Sequence, residues 1–191
     1  MVSLAITDTL LFCCAAYLAS RQRSPIGYRL AFGVLAVAAL FGALKFSGLY
    51  PLDSWHRLFA IISGSAALPL LAVCVAWPQS ATANDRQFAL IFLGGTALLG
   101  LAIAGLGKLR IYDQAVGAIS MFWMLWLLVR RGDQRRIIGV AFMLIGSALF
   151  LAKITLSPWL VPGDLLHLGM VMGLLLLAPA SLRPATPQAA G

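Results

Sequence analysis

The 191-residue chain contains no glutamate, two histidines and three cysteines, and only 10% of its residues are charged. A soluble domain carries roughly 25% charged residues, so this shortage excludes an ordinary soluble protein. A hydrophobic share of 61% and a mean hydropathy of +0.94 place the chain in a bilayer. With glutamate absent, every side-chain carboxylate is one of six aspartates: Asp8, Asp53, Asp85, Asp113, Asp133 and Asp164. Cys13, Cys14 and Cys74 lie inside apolar segments and show no metal or redox spacing, so they read as small apolar residues. No Lys or Arg precedes Arg21, whereas a secretory signal needs a positive region ahead of its apolar stretch. The first segment therefore reads as a retained helix that enters with its N-terminus outward.

What the chain does have is apolar runs. A span needs about 20 mostly apolar residues, and seven candidates lie near 3–20, 28–48, 56–77, 87–107, 111–130, 137–156 and 163–179. The expected fold is all-α: one seven-helix membrane domain over 1–180, with a Pro/Ala-rich, disordered cytoplasmic tail over 181–191. The net charge of +8 comes from 14 Lys and Arg that sit largely in short loops. The positive-inside rule explains that placement better than a nucleic-acid partner does. Arg21, Arg23, Arg29, Arg86, Arg130, Arg131, Arg135, Arg136 and Arg183 make nine on one side; Lys45, Arg57, Lys108, Arg110 and Lys153 make five on the other. The larger group belongs in the cytoplasm, which puts the N-terminus outside, the C-terminus inside and the protein in the cell inner membrane. Tyr50, Trp55, Tyr112 and Trp159 then mark the outer interface, and Tyr28 and Trp77 the inner one. Trp123 and Trp126 read as core packing before cavity lining.

On the outer side a pattern recurs. "FGALKFSG", "AGLGKLRI" and "LFLAKITL" each end a span with a lysine, and a turn then leads to Asp53, Asp113 or Asp164. The chain thus reads as one leading helix plus three helix–turn–helix units. "YPLDSWHRL" and "LVPGDLLHLG" add His56 and His167, each three residues after its aspartate. Ionisable groups within spans are costly, face the bundle interior and mark function. Asp8, Asp53, Asp113, Asp164, Lys45, Lys108, Lys153, His56 and His167 converge on one leaflet. A blander account competes, because Asp is a favoured helix N-cap and lysine suits a helix C-terminus. Asp8 escapes that account, and a lysine from the second or sixth span is its expected partner. Gly169 and Gly173 form a GxxxG that lets a neighbouring helix approach closely, and Gly94, Gly95, Gly100 and Gly105 read the same way.

The opening "ITDTLLFCCAAYLASRQRS" and the second-span end "LFGALKFSG" resemble a group of small seven-helix bacterial membrane proteins. That group is distantly similar to the alkaline ceramidase superfamily of membrane hydrolases. Asp8, Gly42 and the His167 region carry the match. The resemblance implies a hydrolase holding zinc through a second-helix His and a seventh-helix HxxxH. Here Lys45 stands at the second-span position, and Gly163 and Val171 flank His167 at four residues, so the zinc site is lost or rebuilt.

The residues themselves leave three readings open. The first is an outward polar pocket in which Lys45, Lys108 or Lys153 offsets the anionic head of a small molecule or amphiphile, for binding, sensing or transport, with Asp8, Asp53, Asp113 and Asp164 around it. The second is a hydrolase with His56 or His167 as general base. The third is a partner subunit of a larger membrane complex. No cofactor is the leading expectation. If a metal is present, His56, His167, Asp53 and Asp164 are its ligands, for zinc, and the two histidines could instead hold haem.

Overall fold

The computed structural model describes residues 2–106, 109–157 and 159–179, without the side chains of Leu109, Arg110, Ile111 and Asp113. Lys108 and the expected tail 181–191 lie outside the described residues. The described residues are mostly helical, with no strand and one isolated bridge between Ser157 and Leu160. The helices are α1 (Val2–Ser20), α2 (Ile26–Phe46), α3 (Asp53–Ile62), α4 (Leu68–Ala76), α5 (Ala81–Asn84), α6 (Arg86–Gly105), α7 (Leu109–Arg131), α8 (Gln134–Leu151) and α9 (Pro162–Leu177). A 3-10 turn at Tyr50–Leu52 leads into α3, and a π turn at Ser63–Ala67 joins α3 to α4. The stretch Tyr50–Ala76 is thus one continuous rod. Among the described residues there are seven long rods, one on each expected segment. Five of them are long and apolar enough to cross a membrane.

Helices are the outcome this composition favours, since Ala and Leu are strong helix formers. In a bilayer, a helix also satisfies every backbone polar group within its own segment. The π turn has a local cause. Pro69 has no N–H for the Ser65 carbonyl and its ring crowds that carbonyl. The backbone widens there, and Leu68 N–H donates to Ser63 O instead.

Three rods end in the same device. Behind α2, Leu49 N–H donates to Leu44 O and Gly48 N–H to Lys45 O; behind α7, Asp133 donates to Leu128 and Gly132 to Val129; behind α8, Ile154 donates to Leu149 and Lys153 to Phe150. This double bond pattern needs a left-handed residue just past the helix. Gly48 (φ 108°) and Gly132 (φ 67°) fill that position, and so does Lys153 at φ 54°. Lys45 instead sits inside the last turn of α2. Lys45 and Lys153, two of the three span-ending lysines that look equivalent in sequence, therefore occupy different positions of their helix ends.

Arginines stitch neighbouring helix ends together at the opposite face of the bundle. Arg29 donates to Ala19 O of α1 at 3.1 Å. Arg131 donates to Val75 O and Ala76 O of α4, both at 2.5 Å. Arg135 reaches Leu175 O of α9 at 2.8 Å and Ala178 O just beyond it at 3.3 Å. Each guanidinium meets the negative end of a helix dipole and otherwise unpaired carbonyls.

The core gathers Phe32 of α2, Leu70 and Leu71 of α4, Met124 and Leu128 of α7, Val140 and Met143 of α8, and Leu174 and Leu177 of α9. α8 and α9 meet through glycines. A Cβ on Gly169 would stand 2.6 Å from Phe142 O, and one on Gly139 would stand 2.9 Å from Leu176 Cβ. The GxxxG expectation holds, and Gly139 and Gly146 of α8 complete it. On α6 only Gly100 is packed, against Ser65, whereas Gly94, Gly95 and Gly105 face open space. Tyr28 also departs from expectation: it is buried beside Phe32 rather than at an interface. Trp123 and Trp126 are exposed rather than core, their rings tilted against one another and, through Trp123, against Trp77, and Arg130 covers the Trp126 ring at 4.3 Å.

Candidate functional site

α1 packs between α2 and α9, and the end of that three-helix contact at the start of α1 and α9 holds the polar residues. Asp8 lies about 9 Å along α1 from its first residue, at 1.5 Å rise per residue, and is only 1% exposed. Its Oδ1 faces His167 Nε2 of α9 at 3.4 Å. The other ring nitrogen, Nδ1, lies 3.3 Å from Thr7 Oγ1. Thr7 donates to Asp164 Oδ1 at 2.8 Å, and Asp164 is fully buried. Asp164 Oδ2 in turn accepts from Val161 N–H at 3.0 Å, closing the first turn of α9. Thr7, Asp8, Asp164 and His167 thus form one connected chain across the α1–α9 seam.

The wall behind this chain is bare. A Cβ on Gly42 of α2 would stand 2.6 to 2.8 Å from the Asp8 carboxyl atoms, so only glycine lets the carboxyl group lie against α2. Asp8 Oδ2, which faces that wall, has no hydrogen-bond partner. Polar atoms left unpaired in a buried site are rare and call for a physical reason.

A second group lies on the other side of α2. Lys45 Nζ meets Asp53 Oδ1 at 2.5 Å, with side chains 25% and 47% exposed, and stands over the Phe46 ring at 5.1 Å. His56 packs edge-on against the same ring at 5.9 Å, and its buried Nδ1 lacks a partner. Lys45 lies within electrostatic reach of Asp8, and His56 within reach of His167. The two Asp-x-x-His turns therefore flank one polar layer, separated by α1 and α2.

Several expectations change here. The immediate partner of Asp8 is His167 rather than a lysine, because the Lys45 ammonium bonds to Asp53. Asp53 is not a capping residue: it begins α3, and no side-chain cap bond closes that helix end. Asp164 does cap, but from the third helical position. Lys153 is exposed at its left-handed turn and joins neither group. Of Asp113 only the backbone is described, within α7. Thr7 is the residue that sequence reasoning missed. Its one signal was a hydroxyl directly beside the lone acid of an apolar helix.

His56, His167, Asp53 and Asp164 do not fit a shared metal centre. Both His167 nitrogens face Thr7 and Asp8, Asp53 is paired to Lys45, and Asp164 accepts from Thr7 and Val161. Among the described residues no group of three or more His, Cys or Asp side chains is placed to hold a metal ion. The same engagement of His167 leaves no axial nitrogen for haem. Among the described residues the zinc-hydrolase resemblance thus finds no ligand set.

A family model described as a family of unknown function (DUF6962) matches residues 3–186. No curated protein and no solved structure matches the chain.

Proposed function

The chain belongs to DUF6962, and we propose that it is a seven-span protein of the cell inner membrane, N-terminus outside, whose outer polar layer binds the anionic head of an amphiphile or small molecule for sensing or transport. The seven rods and the arginine-rich inner ends support that topology. Lys45 carries the binding reading. It is a cation of the polar layer with a partly open side chain, paired with Asp53 and within electrostatic reach of the buried Asp8. An anionic head arriving at the rim takes the place of Asp53 on the ammonium, and a charge-assisted bond in a low-dielectric setting is among the stronger polar contacts.

The test uses oleate and its uncharged analogue oleyl alcohol on the full chain in lipid nanodiscs. Lys45→Met is expected to weaken oleate about tenfold, near 1.4 kcal/mol, and to leave oleyl alcohol unchanged. Asp53→Asn, which removes the competitor, is expected to tighten oleate. Equal loss of both probes in Lys45→Met would show that the lysine supports the fold and not the anion.

One observation favours a second reading. Thr7, His167 and Asp8 stand in the order hydroxyl, imidazole, carboxylate, which is the arrangement of an activated nucleophile. It ranks second because the Thr7 proton goes to Asp164 and the hydroxyl is buried. Hydrolysis of a membrane-soluble ester that vanishes in both Thr7→Ala and His167→Ala would promote it.

A further inference from the structure

We propose that Asp8, His167, Thr7 and Asp164 form a one-proton relay between the start of α9 and the Asp8 carboxyl group on α1. The inference rests on the reading of the outer polar layer as the working site, and it adds a proton to what that site handles.

Hydrogen-bond accounting sets the direction. Thr7 has a single proton, and the 2.8 Å contact with Asp164 is shorter than its 3.3 Å alternative to Leu4 O. Toward His167 the hydroxyl is therefore an acceptor, which makes Nδ1 the donor. Nε2 then faces Asp8 Oδ1 across a contact that holds one proton. With that proton on Asp8, the carboxyl oxygen left against Gly42 is a neutral carbonyl. An ionised carboxylate would leave a charged oxygen buried there without a donor, which is far more costly. The unpartnered Oδ2 is thus the mark of a protonated Asp8.

The relay balances. In the first state Asp8 Oδ1–H points to Nε2, Nδ1–H to Thr7 Oγ1, and Thr7 O–H to ionised Asp164. A concerted shift breaks the three bonds Oδ1–H, Nδ1–H and Oγ1–H. It forms Nε2–H, a new Oγ1–H and a proton on Asp164 Oδ1. One proton has moved from Asp8 to Asp164, the imidazole has changed tautomer, and the total charge of the four groups is unaltered. The groups facing the chain are few. α2 presents Lys45 to Asp8 and α3 presents His56 to His167, with Asp53 and Arg57 lying beyond, around Lys45 and each other. α8, packed behind α9, carries charge only at its opposite end, on Arg135 and Arg136. Chains of carboxyl and imidazole groups are the usual form of proton pathways inside membranes. Here one terminus of the relay, Asp8, lies within electrostatic reach of Lys45, so loss of the Asp8 proton puts a carboxylate within reach of the ammonium that Asp53 holds.

The test needs no ligand. Infrared spectra of the full chain in nanodiscs, taken between about pH 5 and 8 in water and in heavy water, report protonated carboxyl groups directly. The expected result is a carboxyl C=O band that shifts in heavy water, is lost in Asp8→Asn, and persists in Asp53→Asn and Lys45→Met. Should Asp8→Asn fail to fold, Asp8→Glu keeps the carboxyl group and is expected to move the band. His167→Gln, which leaves Asp8 without its imidazole acceptor, is expected to shift it too. Absence of any such band in the wild type across that range would overturn the relay. So would a band indifferent to position 8 and lost in Asp164→Asn. Because Lys45→Met removes the anion contact and spares the band, failure of the relay and failure of the anion reading give different outcomes.

Discussion

Lys153 holds a backbone conformation that Gly48 and Gly132 hold elsewhere, and it does so without glycine's freedom. A left-handed L-residue costs roughly 1–2 kcal/mol. Lys153→Gly is therefore expected to raise stability by about 1 kcal/mol, read as a higher midpoint in thermal or detergent unfolding. An unchanged or lower midpoint would mean that the lysine side chain makes a contact large enough to offset its backbone. The position was not legible in the sequence, because helix ends cannot be placed more finely than one or two residues, and that error separates Lys45 from Lys153. Asp8 was legible for the opposite reason: an acid inside an apolar run has no bland explanation. Its partner was harder to find, since His167 is distant in sequence and only the α1–α9 packing brings the two together. Thr7 was hidden because a threonine in an apolar helix ordinarily bonds back to its own backbone, as Thr9 does to Ala5 O at 2.7 Å.

Helix pairs show how far spacing alone can be trusted. Gly169 and Gly173 announced a close contact, and the fold places α8 there. A Cβ on Gly173 would meet Met143 Cγ and stand 2.8 Å from Gly139 O. A Cβ on Gly95 of α6, equally small and equally inside an apolar run, would meet nothing within 4 Å among the described residues. Gly173→Leu is thus expected to destabilise by about 3 kcal/mol through overpacking, while Gly95→Leu changes stability little. Unfolding of both variants in mixed detergent–SDS micelles measures the contrast. Similar midpoints for the two would mean that α6 has a close neighbour, such as a second chain. The sequence could not separate these glycines, because spacing records a face and not what lies against it. The π turn was closer to legible, since Pro69 in the middle of an apolar run guarantees a broken bond, though not how the backbone repairs it.

At the scale of the molecule, length and hydropathy located every long rod among the described residues, because a bilayer accepts few other shapes. Which rods are neighbours was not written in those quantities; it depends on glycine faces and buried side chains spread along the whole chain. The proposed orientation is tested by reporters fused at the C-terminus. A fluorescent protein that matures only in the cytoplasm is expected to light up there, and alkaline phosphatase is expected to stay inactive. The reverse pair of results would invert the topology and put the Lys45 layer on the inside. The arginines make such an inversion more than a matter of labelling. Arg29, Arg131 and Arg135 each hold the terminal carbonyls of another helix, so in the proposed orientation the charges that steer each segment during insertion are also the ones that fasten the finished bundle. A segment threaded the wrong way leaves its neighbour's end unfastened and its own guanidinium without a seat. In the proposed orientation, a bundle with its arginine seats filled is therefore also one whose segments have been threaded correctly.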